Sequence, residues 1–338
     1  MRIALNGYGR VGRSFIRALV EREASGWRAP FTVVAINDLG SAEDLLYLTR
    51  YDTAHGTFLE PAELQDGCLK VGNHTPKLLH ESNPAQLPWQ QMNIDLVLEC
   101  TGEFRHYQGA SQHLQAGAGR VMIGAVPFDH ADAMLAWGVN HLSLTPADKV
   151  LSATSCTTQC ITPLLALLDR EYGVEQVIMK EVHAYTSDQS LLDHVHRDPR
   201  RGRAAAHNIV PTTSSAVGAV QKVLPQLQGR ISGDSIRVPT LNVAMVDLTL
   251  LLRRTPSVAE IDQLFEQASN EQPEIFGYNN APLVSSDFNH RPESAIYDAT
   301  QTRIQGELVQ IVAWYDNEWG YANRLLDLVD WLTSNTHH

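Results

Sequence analysis

Arg2-Ile3-Ala4-Leu5-Asn6-Gly7-Tyr8-Gly9-Arg10-Val11-Gly12-Arg13 opens the chain with a short apolar run that ends in three glycines spaced G-x-G-x-x-G. The run reads as a buried strand, the glycines as a turn, and the following SFIRALVERE (14–23) as a helix. In that context the glycines would make the tight turn, let the backbone approach a pyrophosphate and bring helix close to strand, while the helix N-terminus offers unpaired N–H groups to an anion. A second apolar run, FTVVAINDLG (31–40), contains Asp38, 26 residues after Gly12. An acid there would hold a ribose hydroxyl and repel a 2′-phosphate. Gly7, Gly9, Arg10, Val11, Gly12 and Asp38 are therefore expected to hold a dinucleotide, and NAD rather than NADP. The plain alternative for each glycine is a turn without a ligand.

Apolar strands and helices keep alternating to about residue 150. IDLVLECTGEF (94–104) is a strand whose end, at Thr101-Gly102, is expected at the carboxyl edge of a parallel sheet, where such folds bind ligands. SQHLQAGA follows as a helix and RVMIGAV as a strand, whereas residues 77–89 read as a loop. The expected fold is α/β: a Rossmann-type doubly wound parallel sheet over 1–150, then an α+β domain with a mostly antiparallel sheet over 151–318. VIMKEVHAY (177–185), the long run 236–252 and LVQIVAWY (308–315) supply strands of that second sheet. A last amphipathic helix, 319–334 with NRLLDLVDWL at its centre, is expected to pack back on the first domain.

With 338 residues, 43% of them hydrophobic and 19% charged, the chain is long enough to bury two cores. A net charge of −12 argues against nucleic acid as a partner and leaves room for a local basic pocket that holds a phosphorylated small molecule. Four cysteines (68, 100, 156 and 160) make no disulfide framework, and a reducing cytoplasm is the expected setting. The sequence shows neither a leader pattern before the first strand nor an apolar stretch of the ~18 residues that mark a membrane span, so no membrane partner is expected.

The chemistry concentrates at Ser155-Cys156-Thr157-Thr158-Gln159-Cys160, followed by ITPLLALLDREYG, an apolar pattern of helical period. Ser152, Thr154 and Ser155 are all N-cap types, which puts Cys156 in the first turn, where the helix dipole and free N–H groups favour a thiolate. Cys160 lies one turn further in and should face the core. The competing readings are a cysteine that merely packs and a zinc pair; the second lacks another Cys/His pair at ligand spacing, so no metal site is expected.

NGYGRVGR, SCTTQC, HAYTSDQ, RRGRAAAHNIVPTT, IRVPTLNVAMVDLT, SSDFN and WYDNEWGYANR, spread over nearly the whole chain, resemble the glyceraldehyde-3-phosphate dehydrogenase family, erythrose-4-phosphate dehydrogenases included. The resemblance implies an NAD-dependent oxidation of a phosphorylated aldose in a homotetramer with the antiparallel sheet at a subunit interface. It makes Cys156 the nucleophile, His183 its base and Asn317 the residue that holds the nicotinamide carboxamide. Thr186 and Arg237, with Arg201 nearby, fall on the pocket for the substrate phosphate. Ser155, Thr157, Ser214 and Ser215 fall around the second anion, inorganic phosphate. A thiolate would attack the aldehyde, the Cys156 N–H and His183 would hold the resulting oxygen, and a hydride would leave for NAD. Phosphate or water would then cleave the thioester.

Some positions depart from the family pattern. Ala153 and Gln159 stand where asparagine is usual, Gly124 where serine is common, Ser214-Ser215 where Thr-Gly is usual, and His194-Val195 where NAD-specific members show Leu-Pro. YDTAHG and DFNHRPESAIYDATQTR are closer to the erythrose enzymes, but Thr186 replaces their methionine and the segment 127–138 lacks their insertion. Glyceraldehyde 3-phosphate is the expected substrate and phosphate the expected acyl acceptor. Erythrose 4-phosphate with hydrolysis is the alternative, and a non-catalytic NAD-binding scaffold stands behind both.

Overall fold

The computed structural model describes residues 1–335; the terminal histidines lie outside the described residues. By backbone contacts the chain divides into one unit of Met1–Thr154 together with the segment from Ala322, and another of Ser155–Tyr321.

The first unit is built on Arg2–Asn6. This strand lies between Thr32–Asn37 and Leu96–Glu99 and runs parallel to both. Ile3, Ala4 and Leu5 are fully buried, as a strand covered on both faces requires, which is why it reads as an unbroken apolar run. Parallel pairing continues outward through Arg120–Ile123, Val150–Ser152 and Ala133–Met134 on one side and Lys77–Leu79 on the other. A hairpin, Ala62–Gln65 with Cys68–Val71, closes that second edge antiparallel. Lys77–Leu79 falls in the segment read as a loop: three residues are too few to show a period, and their order comes from pairing with Ala35–Asn37.

The helix Arg10–Ala24 lays Phe15, Ile16, Leu19 and Val20 on the core. It is fastened to the chain's last helix, Trp319–Asn335, whose residues from Ala322 belong to this unit. Arg22 Nε donates to Asn323 Oδ1 at 2.9 Å and Nη1 to Asp327 Oδ1 at 2.6 Å.

The carboxyl ends of three neighbouring strands are joined by side chains. Asn37 Nδ2 donates to Asn6 Oδ1 at 2.7 Å, and Asn6 Nδ2 donates to Glu99 Oε2 at 2.6 Å. His113 Nε2 stands 3.0 Å from the same Glu99 oxygen, and Trp89 Nε1 donates to His113 Nδ1 at 2.9 Å. An acceptor at Nδ1 assigns the ring proton to Nε2, so His113 donates to Glu99.

The second unit is a mostly antiparallel sheet. Val174–Ala184 pairs parallel with Ile231–Val238 and antiparallel with Ala244–Leu252, and Leu308–Tyr315 follows antiparallel. The run 236–252, read as one strand, is two. Pro239 cannot donate to the ladder, Val243 sits at φ +73°, and Asn242 Nδ2 donates to Asp316 Oδ2 at 2.8 Å, which fixes the turn between them. Cys156–Tyr172 is a helix packed on the sheet. Alternation along Val174–Ala184 buries Met179, Glu181 and His183 and leaves Ile178 64% exposed. All four cysteines are free. Among the described residues no helix is long and apolar enough to cross a membrane, and no cluster of three His, Cys, Asp or Glu side chains could hold a metal.

The three glycines of the first turn are not equivalent. Gly7 sits at φ +94°, and a Cβ there would meet Thr101 N at 2.6 Å; a Cβ on Gly12 would meet Gly7 O at 2.4 Å; one on Gly9 would meet nothing within 4 Å. Gly12→Ala should therefore cost about 2–3 kcal/mol or prevent folding, whereas Gly9→Ala should stay within about 1 kcal/mol of the parent in denaturant unfolding. Equal losses from the two would show that the helix does not depend on that close approach.

Candidate active site

Ser155 caps the helix that begins at Cys156: its Oγ accepts from Thr158 N at 3.1 Å and lies 2.8 Å from Thr158 Oγ1. The chain enters from Thr154 at φ +58°, a left-handed conformation that a β-branched residue rarely adopts. Cys160 is fully buried, and Cys156, one turn earlier, keeps some exposure. The thiol faces His183, with Sγ 3.6 Å from Nε2. On the other side of the ring Nδ1 stands 2.7 Å from the Ala184 carbonyl oxygen. Arg237 Nη1 also stands 3.0 Å from Nδ1; in the tautomer that donates Nδ1–H to the carbonyl, the Nε2 lone pair is directed at the thiol. Arg237 Nη1 donates to the same carbonyl at 3.3 Å.

Sequence reading missed Glu181. It is 2% exposed and stands on the same face of the strand as His183, two residues away. Its Oε1 accepts from Thr157 Oγ1 at 2.7 Å and lies 3.9 Å from His183 Nε2. The signal was present in VIMKEVHAY, where every second residue faces the core and a glutamate occupies one of those places. Tyr315, also missed, is buried with its OH 2.9 Å from Thr157 Oγ1.

The electrostatics differ from those expected at a helix N-terminus. Burial pushes the Cys156 thiol up to about 12, and Glu181 adds to the effect; the Thr157 side chain and backbone and Arg237 oppose it without reversing it. Burial also lowers His183 to about 4, helped by Arg237 and opposed by Glu181. Burial thus disfavours each ion alone and works against the thiolate expected at a helix N-terminus. Burial works against the Glu181 carboxylate as well, but His183, Arg237 and the hydroxyls of Ser214 and Thr157 outweigh it and hold the group below the usual range.

The residues read as anion contacts separate. Arg237 Nε is buried without a partner, and Thr186 is half-buried two residues beyond the strand that carries His183. Arg201 is committed elsewhere: Nη1 to Asp188 at 2.5 Å, Nε to Thr212 Oγ1 at 2.8 Å and Nη2 to Thr213 O at 3.0 Å. These contacts use three of its five N–H groups and orient the guanidinium toward Asp188 and the Thr212–Thr213 strand end. Thr157 has a single hydroxyl proton and gives it to Glu181. The Ser155 hydroxyl serves the cap. Ser214 Oγ accepts from Ala216 N at 3.2 Å, and the exposed Ser215 makes no side-chain cap on the helix Ala216–Val223.

In the first unit Asp38 receives Tyr8 N at 2.7 Å on one oxygen and Gly40 N at 2.9 Å on the other, an arrangement that fixes the carboxylate at the strand end. Arg10 is the first residue of its helix, and its guanidinium is paired with Asp52. Burial works against the Asp52 carboxylate, yet Arg10 and the His55 N–H outweigh it and hold it at about 2. Arg10 thus offers an anion its backbone N–H more than its charge. Val11 is half-buried beside the Gly124 backbone. Thr101 donates through N and Oγ1 to Glu99, and Gly102, at φ +80°, borders open space, as Gly9 does. Open space at two glycines beside a helix N-terminus and a fixed acid fits a dinucleotide. Asn317 keeps its Oδ1 buried without a partner.

Comparison with known proteins bears on both halves. Residues 1–107 match the family model described as glyceraldehyde 3-phosphate dehydrogenase, NAD binding domain, and residues 155–317 match the one described as its C-terminal domain. The glyceraldehyde-3-phosphate dehydrogenase of Pseudomonas aeruginosa is 45% identical over 327 residues, covering 97% of this chain and 96% of that protein. A plasmid-encoded enzyme of the same name from Cupriavidus necator is 44% identical over 328 residues, and one from Xanthobacter flavus is 43% identical over 329, each covering 97% of both chains. A glycine turn at a strand end, a capped cysteine facing a histidine, and likeness along 97% of the sequence agree: the chain belongs to the glyceraldehyde 3-phosphate dehydrogenase family.

Proposed function

We propose that this protein oxidises glyceraldehyde 3-phosphate with NAD through a thioester on Cys156. The observation that carries the reading is the pairing of Cys156 Sγ with His183 Nε2 at 3.6 Å, with the opposite ring nitrogen tied to a carbonyl. The first unit serves as the NAD-binding domain, with Gly7, Gly9, Arg10, Val11, Gly12, Asp38, Thr101 and Gly102 around the cofactor, and the second as the catalytic domain. Asn317 accepts from the nicotinamide carboxamide. Bound NAD supplies the hydride acceptor.

The chain's own residues do the rest. Sγ bonds to the aldehyde carbon as its proton passes to His183 Nε2, and the imidazolium then gives that proton to the new oxygen, which the Cys156 N–H also holds. When the C–H bond breaks, Nε2 takes the proton back and a thioester remains. Arg237, whose Nε lacks an acceptor, binds the substrate phosphate with Thr186. The three named relatives are glyceraldehyde enzymes, and Thr186 in place of a methionine agrees with that substrate over the erythrose one. We place the enzyme in the cytoplasm as a homotetramer; the exposed Ile178 face of the antiparallel sheet supports an interface there.

Cys156→Ser should abolish NADH formation while NAD still binds, because a serine hydroxyl has no comparable ionised fraction; turnover within about tenfold of the parent, a loss of only ~1.4 kcal/mol, would sink the assignment. A thiol pushed upward reacts faster as pH rises, so the parent's alkylation by iodoacetamide should climb with pH, and His183→Asn should slow it at neutral pH by about a hundredfold. An unchanged rate would show that His183 does not serve the thiol. Asp38→Ala should narrow the preference for NAD over NADP, and a parent enzyme that already prefers NADP would refute the ribose role.

A further inference from the structure

Glu181 is 2% exposed, on the same strand face as His183, and takes no part in the bond changes at Cys156. Its Oε1 lies 3.9 Å from His183 Nε2, too far to share a proton and near enough to act by charge. Thr157 donates its hydroxyl proton to that oxygen at 2.7 Å, and Tyr315 OH, 2.9 Å from Thr157 Oγ1, extends the hydroxyl chain that ends on the carboxylate. Those contacts fix where the charge stands. The ring also faces Cys156 from the helix, at 3.6 Å, and Arg237 from the adjoining strand, whose Nη1 is 3.0 Å from Nδ1. Burial and Arg237 work against an imidazolium; Glu181 favours it most, ahead of the Ala184 carbonyl and Glu318.

Two steps put a proton on this ring, and they differ in the state of the sulfur. When the thiol gives up its proton, a thiolate and an imidazolium appear together; Glu181 opposes the first and favours the second, so its two effects offset each other. When the C–H bond of the thiohemiacetal breaks, sulfur is already bonded to carbon and carries no charge. The hydroxyl proton then passes to Nε2, the O–H electron pair forms the carbonyl π bond, and the C–H pair leaves as hydride, so that the carbon is oxidised and NAD reduced. An imidazolium now stands in the pocket without a thiolate beside it. We propose that Glu181 is a positioning residue for this second step: its fixed carboxylate is the counter-charge of the imidazolium that forms as the hydride leaves. The inference rests on the thioester chemistry of the proposed function and adds to it a residue that acts through His183 and bonds to no substrate atom. At an effective dielectric of ~20, a unit charge at that separation shifts a protonation equilibrium by about three orders of magnitude, and a rate in which the proton is partly transferred feels a fraction of it.

The test compares two rates in the full-length enzyme: the NADH burst with glyceraldehyde 3-phosphate and its C1-deuterated form, followed by stopped flow, and the alkylation of Cys156 by iodoacetamide without cofactor. Glu181→Gln, which keeps the size and can still accept from Thr157, should slow the burst by at least about tenfold, raise its deuterium isotope effect and leave alkylation within about threefold of the parent. Glu181→Asp, which keeps the charge but sets it farther from Nε2, should recover most of the burst and stay about threefold slow. A burst in Glu181→Gln within about twofold of the parent overturns the inference. So does an equal fall in burst and alkylation, which would mark a displaced His183 and a merely structural carboxylate. If Glu181→Gln does not fold, Glu181→Asp decides, and a burst as fast as the parent's overturns the inference there. Absence of any burst in the parent overturns the substrate reading and the inference with it.

Discussion

A strand that alternates beneath a helix N-terminus is the constraint on which the reactive centre depends. From Val177 to His183 every second side chain is buried on the face that carries the site, and the pleat brings Glu181 and His183 side by side near the cysteine. Pairing on both sides fixes the register, with Ile231–Val238 along one edge and Ala244–Leu252 along the other. A slip of one residue would carry His183 to the opposite face and present Val182 to the thiol.

Burial then sets the protonation logic. It penalises thiolate and imidazolium separately, yet moving one proton across 3.6 Å leaves the net charge of the pocket unchanged. The attraction between the two ions at that distance, about 4 kcal/mol at an effective dielectric of ~20, offsets part of their desolvation. Attack on an aldehyde would move the negative charge from sulfur to the carbonyl oxygen, where the imidazolium proton could neutralise it, so attack and proton transfer would belong together.

The fold was legible where burial acts on long periodic runs. The strand, glycine turn and helix from Arg2 to Ala24, and the cysteine on the first turn of its helix, followed from sequence pattern alone. What escaped was set by partners distant in sequence: the three-residue strand Lys77–Leu79, ordered by pairing, and the break at Pro239–Val243, held by Asn242 on Asp316. The site showed the same division. Residue types pointed to Cys156 and His183, but only coordinates reveal that Thr157 spends its proton on Glu181 and that Arg201 is held by Asp188. A carboxylate hidden in an apolar alternation is easily passed over, because alternation argues for a strand and says nothing of what the odd residue touches.

The chain Asn37–Asn6–Glu99–His113–Trp89 has a thermodynamic meaning beyond its contacts. It ties the ends of three parallel strands through side chains whose hydrogen bonds are made before any ligand arrives, so the conformational entropy of the strand ends is lost during folding and not at binding. A cofactor settling there meets a shelf already rigid, and its association should show little of the unfavourable entropy that accompanies ordering of a loose loop.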